Sequence, residues 1–372
     1  MKLRARDLHI QFGQLQPGPL NAITDVPGVR VGHSDVRGRT PGGRDIHTGV
    51  TLIEPRAGST TEQPCFAGVH ILNGNGDASG LEWIREAGLL TSPIAFTNTH
   101  SVGTVRDALI ALDRQDQPAD GRLYWNMPVV LETFDGLLND INGFHVRAEH
   151  VAEALDRAVG GPVAEGAVGG GSGMICHEYK GGIGTASRRL SAAQGGWTVG
   201  AIVQANHGTR RELRVDGYPV GRYMEKATSP FLRADLPHPG MGSIVVCLAT
   251  DAPLLPHQCT RLAQRASIGI ARTGGGNEDC SGDIFVAFST GNPQLQATTY
   301  ERKGAFTCDG LRMVNNDHIG DLFLAASEAV EEAIINALLA ANTVEGNGHR
   351  VQALDRDTLL DALRQAGWPG AQ

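Results

Sequence analysis

The dipeptide Gly242-Ser243 is the first feature of the sequence that points to chemistry. It ends a Pro- and Gly-rich loop, residues 232–242, and Ser243 opens the apolar run SIVVCLAT at 243–250. A serine hydroxyl can attack the preceding carbonyl, and glycine there permits backbone conformations that a Cβ forbids. Cleavage would free an α-amine with a pKa near 7.7 to 8.0, which suits a general base. Gly-Ser is also common in turns, so an ordinary turn stays open.

Well-known phosphate, zinc and hydrolase motifs are absent, since the sequence has no GxxxxGK[ST], HExxH or GxSxG pattern. The segment GGGSGM at 169–174 resembles a dinucleotide loop, but no acidic ribose partner is evident. The triplet Cys176-His177-Glu178 is poorly spaced for a chelate on a strand, because strand side chains alternate faces. We therefore predict no cofactor and no metal ion.

Composition and charge indicate a soluble globular protein. The 372 residues are 41% hydrophobic and 19% charged, and 32 basic against 40 acidic residues give a net charge of −8. This balance predicts no basic face for nucleic acid. No apolar run is long enough to span a membrane, and the start MKLRARDLHIQFG lacks a secretory core, so we expect a cytoplasmic protein. Six cysteines without a CxxC pair fit reduced thiols.

Short apolar runs alternate with helical patterns, which predicts an α/β or α+β layered protein. The predicted strands are 50–53, 67–72, 93–98, 127–133, 198–206, 243–250 and 283–289. The predicted helices are 147–159, Pro256 to Thr273, a long helix from about Asp317, and 357–366. No repeat or linker divides the chain, so we predict a single domain over residues 1–372.

Eight ordered blocks resemble the self-processing serine aminopeptidases, typified by L-aminopeptidase/D-alanine esterase-amidase and the β-peptidyl aminopeptidases. The blocks are TDVPGVRVGH at 24–33, TNTHSVGTVRDA at 97–108, ETFDGLLNDIN at 132–142, GGGSGM at 169–174, KGGIGTASR at 180–188, VGAIVQANHG at 199–208, GSIVVCLATDAPLLPHQ at 242–258 and SGDIFVAFST at 281–290. The resemblance implies a four-layer α/β/β/α sandwich, similar to N-terminal-nucleophile hydrolases but with different connectivity. It also implies autoproteolysis into an α chain (residues 1–242) and a β chain (residues 243–372), which stay paired within oligomers.

The resemblance implies that Ser243 is the nucleophile and that Ser281 and Asp283 orient and polarise its hydroxyl and amine. Residues i and i+2 of a strand face the same side, so these two side chains can converge while Gly282 leaves room. The sequence Ser-Gly-Asp at 281–283 is equally compatible with a turn that ends in a solvated aspartate. Asp283 is one carbon shorter than the glutamate of some relatives, which changes the reach of the carboxylate.

Two further residues receive roles from the resemblance. Asn206, in VQANHG, is implied to hold the developing oxyanion, although an asparagine also commonly ends a strand in a turn. Glu132, the first residue of ETFDG, is implied to bind the free amino group of the substrate, with a strand-end salt bridge as the alternative.

Three places depart from the family pattern or leave two interpretations open. Phe134 stands where a relative has a tyrosine donor and cannot donate a hydrogen bond, so we assign it to the substrate pocket. The loop GNGDASG at 74–80 also departs from the pattern, and Asp77 receives no role. The glycine segments 169–173 and 181–184 either donate backbone N–H groups or form tight turns.

The sequence therefore predicts an autocatalytically processed serine aminopeptidase, or amidase-esterase, for short peptides, amides or esters with a free amine. An acyl transferase on the related ornithine acetyltransferase fold is one alternative. An unprocessed relative that binds peptides or small amines is the other. The predicted partners are the substrate and further αβ pairs, with neither nucleic acid nor membrane.

Overall fold

The computed structural model describes residues 2–116, 124–224, 229–230, 240–296 and 310–370. The strands are β1 (Arg30–Arg39), β2 (Asp45–Glu54), β3 (Cys65–Gly74), β4 (Ala78–Ser79), β5 (Leu89–Leu90), β6 (Ile94–Asn98), β7 (Val129–Thr133), β8 (Ile175–Cys176), β9 (Tyr179–Lys180), β10 (Gly182–Arg189), β11 (Thr198–Gly208), β12 (Gly240–Thr250), β13 (Gly282–Ser289), β14 (Val344–Gly346) and β15 (His349–Val351). The α-helices are α1 (Leu81–Ala87), α2 (Val102–Asp116), α3 (Ala148–Asp156), α4 (Pro256–Ala263), α5 (Ala266–Thr273), α6 (Gly320–Ala340) and α7 (Arg356–Gln365).

Two mixed β-sheets form the centre of the fold. The first has the order β1-β2-β6-β7-β4 and the second the order β10-β11-β12-β13-β3-β5. In each sheet one pair of neighbours is parallel, β6 with β7 and β12 with β13. Parallel neighbours begin and end at the same edge of a sheet, so residues that are far apart in sequence meet there.

Apolar side chains pack in three layers between and outside these sheets. Val245 and Cys247 of β12 meet Phe96 of β6 and Leu131 of β7 between the sheets. The alternate β12 residues, such as Val246, pack instead against α4, α5 and α6. Helices α2 and α3 cover the outer face of the five-stranded sheet. The predicted α/β/β/α sandwich is therefore confirmed.

Each predicted strand falls on an observed strand, and one boundary differs at the presumed nucleophile. The prediction began the strand at Ser243, whereas β12 begins at Gly240. The pairing of Gly240 with Gly208 of β11 extends the strand backwards. Residues 232–239 of the predicted loop lie outside the described residues.

Two predicted helices differ from the observed ones. The segment predicted as one helix from Pro256 to Thr273 forms α4 and α5, with a break at residues 264–265. Gly269 lets α5 approach α6 so closely that a Cβ would lie 2.7 Å from Val330 Cβ. The long helix begins at Gly320 rather than Asp317, because a 3-10 turn occupies Asn316–His318.

A buried ionic network joins β10 to α6 and to the N-terminal segment. Arg188 is fully buried, and its guanidinium contacts Glu328 at 3.0 Å and Glu332 at 2.8 Å. Arg6 contacts Glu332 at 2.9 Å, and Phe12 O accepts a hydrogen bond from Arg188 at 3.0 Å. The network therefore supplies partners for every one of these buried charges.

Five cysteines are free thiols, and the sixth, Cys308, lies outside the described residues. Among the helices that the structure describes, none combines the length and the apolar character needed to cross a bilayer.

Candidate active site

Ser243 lies near the start of β12, between strands β11 and β13. Its backbone pairs with Asn206 of β11 and with Gly282 of β13. The hydroxyl oxygen accepts a hydrogen bond from the Gly282 N–H at 3.0 Å. The residue is 5% exposed and lines a cavity of about 440 Å³. The neighbouring strand thus holds the hydroxyl at the wall of this cavity.

The peptide bond before Ser243 lies at an irregular step of the sheet. Asn206 pairs with Ser243 and Gly208 pairs with Gly240, so two residues of β12 face one residue of β11. Such a β-bulge disrupts the regular ladder and bends the strand. A Cβ on Gly242 would lie 1.8 Å from the Asn206 carbonyl oxygen. The close approach therefore requires glycine at the residue whose carbonyl Ser243 would attack.

Ser281 and Asp283 form a hydrogen-bonded pair beside this step. The Ser281 hydroxyl donates to Asp283 Oδ1 at 2.5 Å, and the Ile244 N–H donates to the same oxygen at 3.3 Å. Burial raises the pKa of Asp283 to about 6, although the Ser281 hydrogen bond opposes the shift. The carboxylate thus reaches the backbone next to Ser243, while the Ser243 hydroxyl accepts from Gly282.

The Asn206 side-chain amide is fixed at both ends. Its Oδ1 accepts the Ile175 N–H at 2.7 Å, and its Nδ2 donates to the Phe134 carbonyl at 2.9 Å. A primary amide carries two N–H hydrogens, so Nδ2 retains one for a substrate oxygen. Because Asn206 lines the same cavity as Ser243, this amide can stabilise negative charge that develops there.

Glu132 is a buried carboxylate at the end of β7. Oε1 accepts the Asp77 N–H at 2.8 Å, and Oε2 accepts a hydrogen bond from the Thr99 hydroxyl. It forms no ion pair with a basic side chain in the described part of the chain. Burial raises its pKa, and the hydrogen bond from Thr99 opposes the shift. A cationic group that enters the cavity would supply the missing positive charge.

The cavity joins most of the predicted residues. Its walls are formed by Gly74, Asn75, Gly76, Asp77, Thr99, Glu132, Phe134, Leu137, Gly173, Ile175, Asn206, Gly242, Ser243 and Cys280. Phe134 is 46% exposed and contributes an apolar wall with Leu137 and Ile175. Ser281 and Asp283 are not part of the wall, so they contact the strand behind Ser243 and not the cavity itself.

Comparison with known proteins identifies the family. The sequence model of peptidase family S58 matches residues 21–351. This chain belongs to peptidase family S58. The S58 chain is 44% identical to the β-peptidyl aminopeptidase BapA of Sphingosinicella microcystinivorans, over 97% of this chain and 92% of the relative.

Two solved structures resemble the S58 chain along almost its whole length. A β-aminopeptidase of Burkholderia sp. is 65% identical, with a TM-score of 0.93 and coverage of 98% and 99% of the two chains. The L-aminopeptidase/D-Ala esterase-amidase of Ochrobactrum anthropi is 45% identical with a TM-score of 0.87 and the same coverage. That structure is described as a serine aminopeptidase prototype and a new variant of the Ntn hydrolase fold. The predicted enzyme class, a hydrolase of the serine aminopeptidase type, is confirmed.

Thr99 and Ile175 are contacts that the sequence analysis of this S58 peptidase did not identify. Thr99 follows β6 directly, and β6 lies parallel to β7, where Thr97 pairs with Glu132. This pairing brings the end of β6 to the carboxylate, but it depends on sheet order, which local spacing does not reveal. Ile175 acts through its backbone N–H, so its side-chain type carries no signal.

The glycine segment 169–173 of the S58 peptidase is held as a fixed turn. Lys180 is fully buried and donates to the carbonyl oxygens of Gly171 at 3.1 Å and Met174 at 2.8 Å. Gly173, between them, lies in the cavity wall. The lysine therefore fixes the turn that leads into Ile175 and so supports the Asn206 amide.

Proposed function

We propose that Ser243 becomes the amino-terminal nucleophile of the mature enzyme once the Gly242–Ser243 peptide bond is cut. One observation carries the proposal: a single cavity is lined by the Ser243 hydroxyl, the Asn206 amide and the Glu132 carboxylate. A nucleophile, an oxyanion donor and an amine acceptor are the parts an aminopeptidase needs. Residues 1–242 then form the α chain and residues 243–372 the β chain.

Processing in this proposal begins at the β-bulge. The Ser243 hydroxyl oxygen attacks the Gly242 carbonyl carbon, and the C–N bond breaks. The proton that the hydroxyl loses passes to the nitrogen, which becomes the α-amine of Ser243. Water then hydrolyses the resulting ester and restores the hydroxyl. The bulge favours this attack because it removes the linkage from the regular ladder.

Turnover uses the same residue twice. The free α-amine of Ser243 removes the hydroxyl proton as the oxygen attacks the substrate carbonyl, and the remaining Asn206 N–H stabilises the oxyanion. The protonated amine transfers that proton to the departing group, and water then releases the acyl group. Ser281 and Asp283, linked at 2.5 Å, orient the strand end where the new amine forms.

Short peptides, amides and esters with a free amino group are the proposed substrates. The Glu132 carboxylate binds the substrate ammonium, which explains selection for an unblocked amino terminus. Substrates that begin with a β-amino acid are included, because the relatives at 65% and 44% identity are named β-aminopeptidase and β-peptidyl aminopeptidase. A cavity of about 440 Å³ is of the size that small-molecule sites have.

The αβ pairs are proposed to assemble into oligomers and to act in the cytoplasm. The family resemblance supports the first statement, and the reduced cysteines support the second.

Intact mass and amino-terminal sequencing of the full chain test the proposal. The wild type should give two chains, one beginning at Ser243, and should hydrolyse p-nitroanilides of L-alanine or β-alanine. Ser243→Ala should remain a single chain and lose on the order of 10⁶-fold in kcat. Ser267→Ala, on α5, is the matched serine control and should match the wild type.

Three results would contradict the proposal. A wild-type chain that stays uncut would exclude processing, and a Ser243→Ala variant that keeps its activity would exclude the nucleophile. A faster transfer of the acyl group to an added amine than to water would instead identify an acyl transferase.

A further inference from the structure

A cluster of three potential metal-binding residues lies behind the active site. Cys176, His177 and His207 are buried, and one ligand atom from each lies within 4.8 Å of the other two. Cys176 Sγ is 3.8 Å from His207 Nδ1, and the two imidazole centroids are 5.2 Å apart. Two ligands on a tetrahedral zinc ion are about 3.6 Å apart when one is sulfur and one nitrogen. The Cys176 thiol and the His207 imidazole therefore already have nearly the spacing of two zinc ligands.

A tight hairpin brings these residues together. Cys176 ends β8, and His177 and Glu178 form the turn to β9 with φ angles of 46° and 62°. The His177 N–H donates to the His207 carbonyl at 2.7 Å, which docks the turn on β11. On a continuous strand, neighbouring side chains would point to opposite faces and could not share one ion. The turn removes that alternation, so neighbouring side chains can reach one point.

The His177 ring is oriented as a metal ligand is. Its Nδ1 lies 2.9 Å from the Thr209 carbonyl oxygen, which can only accept, so Nδ1 carries the hydrogen and Nε2 has a lone pair. Nε2 is buried without a hydrogen-bond partner among the residues that the structure describes. A buried polar atom without a partner destabilises the folded state, so a ligand for Nε2 would be favourable. A carbonyl that fixes the distal nitrogen is the usual second contact of a metal-binding histidine.

We propose that Cys176, His177 and His207 bind one borderline-soft divalent cation, for which Zn²⁺ is the best match. One thiolate and two neutral imidazoles are a donor set that zinc prefers, and three protein ligands leave the fourth position to water. The Cys176 thiol releases its proton to solvent on binding. The widest ligand separation, 4.8 Å, must shorten by roughly 1 Å.

The site would stabilise the wall of the active site without entering its chemistry. Cys176 follows Ile175, whose N–H holds Asn206 Oδ1 at 2.7 Å, and His207 follows Asn206 in β11. A cation that links β8 to β11 therefore restrains both ends of this hydrogen bond. The inference does not depend on the role of Ser243.

Metal analysis of the full chain, expressed with added Zn²⁺ and purified without chelator, tests the proposal. We expect about one zinc per chain in the wild type and in Ser243→Ala. Cys176→Ala and His177→Gln should retain less than about a tenth of that amount. Cys247→Ala removes another buried thiol, between the two sheets, and should retain the full amount.

Expression with Co²⁺ gives a second measurement that does not require equal stability of the variants. The folded wild type should show a thiolate-to-cobalt charge-transfer band, which His177→Gln weakens and Cys176→Ala removes. The proposal would be overturned if wild-type protein expressed with added Zn²⁺ contained less than about a tenth of a zinc ion per protein. Equal metal contents in the wild type and both ligand variants would overturn it as well.

Discussion

Buried carboxylates occur in two regions of the molecule, and their partners differ. On the helix side of the six-stranded sheet, Glu328 and Glu332 contact the buried guanidinium of Arg188. At the cavity, Glu132 accepts hydrogen bonds from an N–H and a hydroxyl but meets no basic side chain within the described ranges. The first arrangement is complete within the chain, whereas a cation from outside would complete the second.

The two regions show how a buried carboxylate can serve either the stability of the fold or the binding of a ligand. A buried carboxylate paired with arginine belongs to the fold, and removal of one partner leaves an uncompensated charge. A buried carboxylate without a cation keeps a raised pKa, as burial does for Glu132, and binds an ammonium strongly when one arrives. Substitutions in the two regions should therefore separate stability from activity.

Glu328→Gln should have the largest effect on stability. It weakens the buried contact with Arg188 at 3.0 Å and should lower the free energy of unfolding by about 3 kcal/mol. For a chain of this length that corresponds to a fall in Tm of roughly 4 °C. Calorimetry measures the shift, and kcat/KM of the folded enzyme should not change.

Glu345→Gln is the control for Glu328→Gln, because Glu345 forms an exposed pair with Arg350 and should change stability by less than about 0.5 kcal/mol. Equal Tm values for the two variants would show that the buried contact between Glu328 and Arg188 contributes no more to stability than an exposed ion pair.

Glu132→Gln should show the opposite pattern. Loss of the charge that we propose to bind the substrate ammonium should raise KM about 100-fold, since such a contact contributes about 3 kcal/mol. The free energy of unfolding should stay within about 1 kcal/mol, because no ion pair is broken. Steady-state kinetics with β-alanyl p-nitroanilide measures the effect, and a KM within threefold of the wild type would contradict amine binding by Glu132.

Asp283→Asn should change how the activity depends on pH. Burial raises the pKa of Asp283 from 3.8 to about 6, so its charge is lost below about pH 6. The proposed processing frees an α-amine on Ser243, a group whose ordinary pKa is 7.7 to 8.0, so log kcat/KM should fall with slope one below that range and with slope two below about pH 6. The variant should be roughly tenfold slower and keep slope one throughout.

The stability of the wild type gives an independent check on Asp283. Because the folded state holds the proton more tightly, stability should decrease as pH rises from about 4 to about 6. The decrease should be smaller in Asp283→Asn. Identical stability curves for the two proteins would show that the carboxylate titrates normally.

Phe134→Ala should have the smallest effect. The ring is 46% exposed, so its removal takes only part of an apolar wall from the cavity and should raise KM three- to tenfold, or about 1 kcal/mol. Ile268→Ala, an exposed apolar residue on α5, should leave KM unchanged. A larger effect than that of Glu132→Gln would mean that apolar contact, and not charge, governs binding.

The strands that the sequence predicts best are those with continuous apolar runs, such as β12 and β13. The sequence analysis missed β10, because its buried positions carry small and polar residues such as Thr185 and Ser187. Their hydroxyls bond to partners far away in the chain, including Ala201 O and Asp25. Local periodicity cannot show that such residues will be buried, since only the tertiary fold supplies those partners.

The candidate site divides in the same way. Gly242 and Ser243 stand out by residue type and position, but the same pair is common in ordinary turns. Their predicted role, like those of Asn206 and Glu132, comes from the family resemblance. The contacts that fix them come from backbone groups and sheet order, as with the Ile175 N–H and the Thr99 hydroxyl. The His177 turn is a third case, because its positive φ angles depend on docking against β11.

The strand order of the six-stranded sheet determines how the protein would refold after cleavage. Strands β3, β5, β10 and β11 precede residue 243, whereas β13 and residues 243–250 of β12 follow it. The β12–β13 pair lies between β11 and β3 in one sheet. Cleavage before Ser243 would therefore give two polypeptides that share one sheet and one hydrophobic core. Neither could dissociate without unfolding that core. After denaturation, the two polypeptides of the cut protein would have to meet in solution before they could refold. The rate of renaturation should therefore depend on protein concentration for the cut form but not for the uncut precursor.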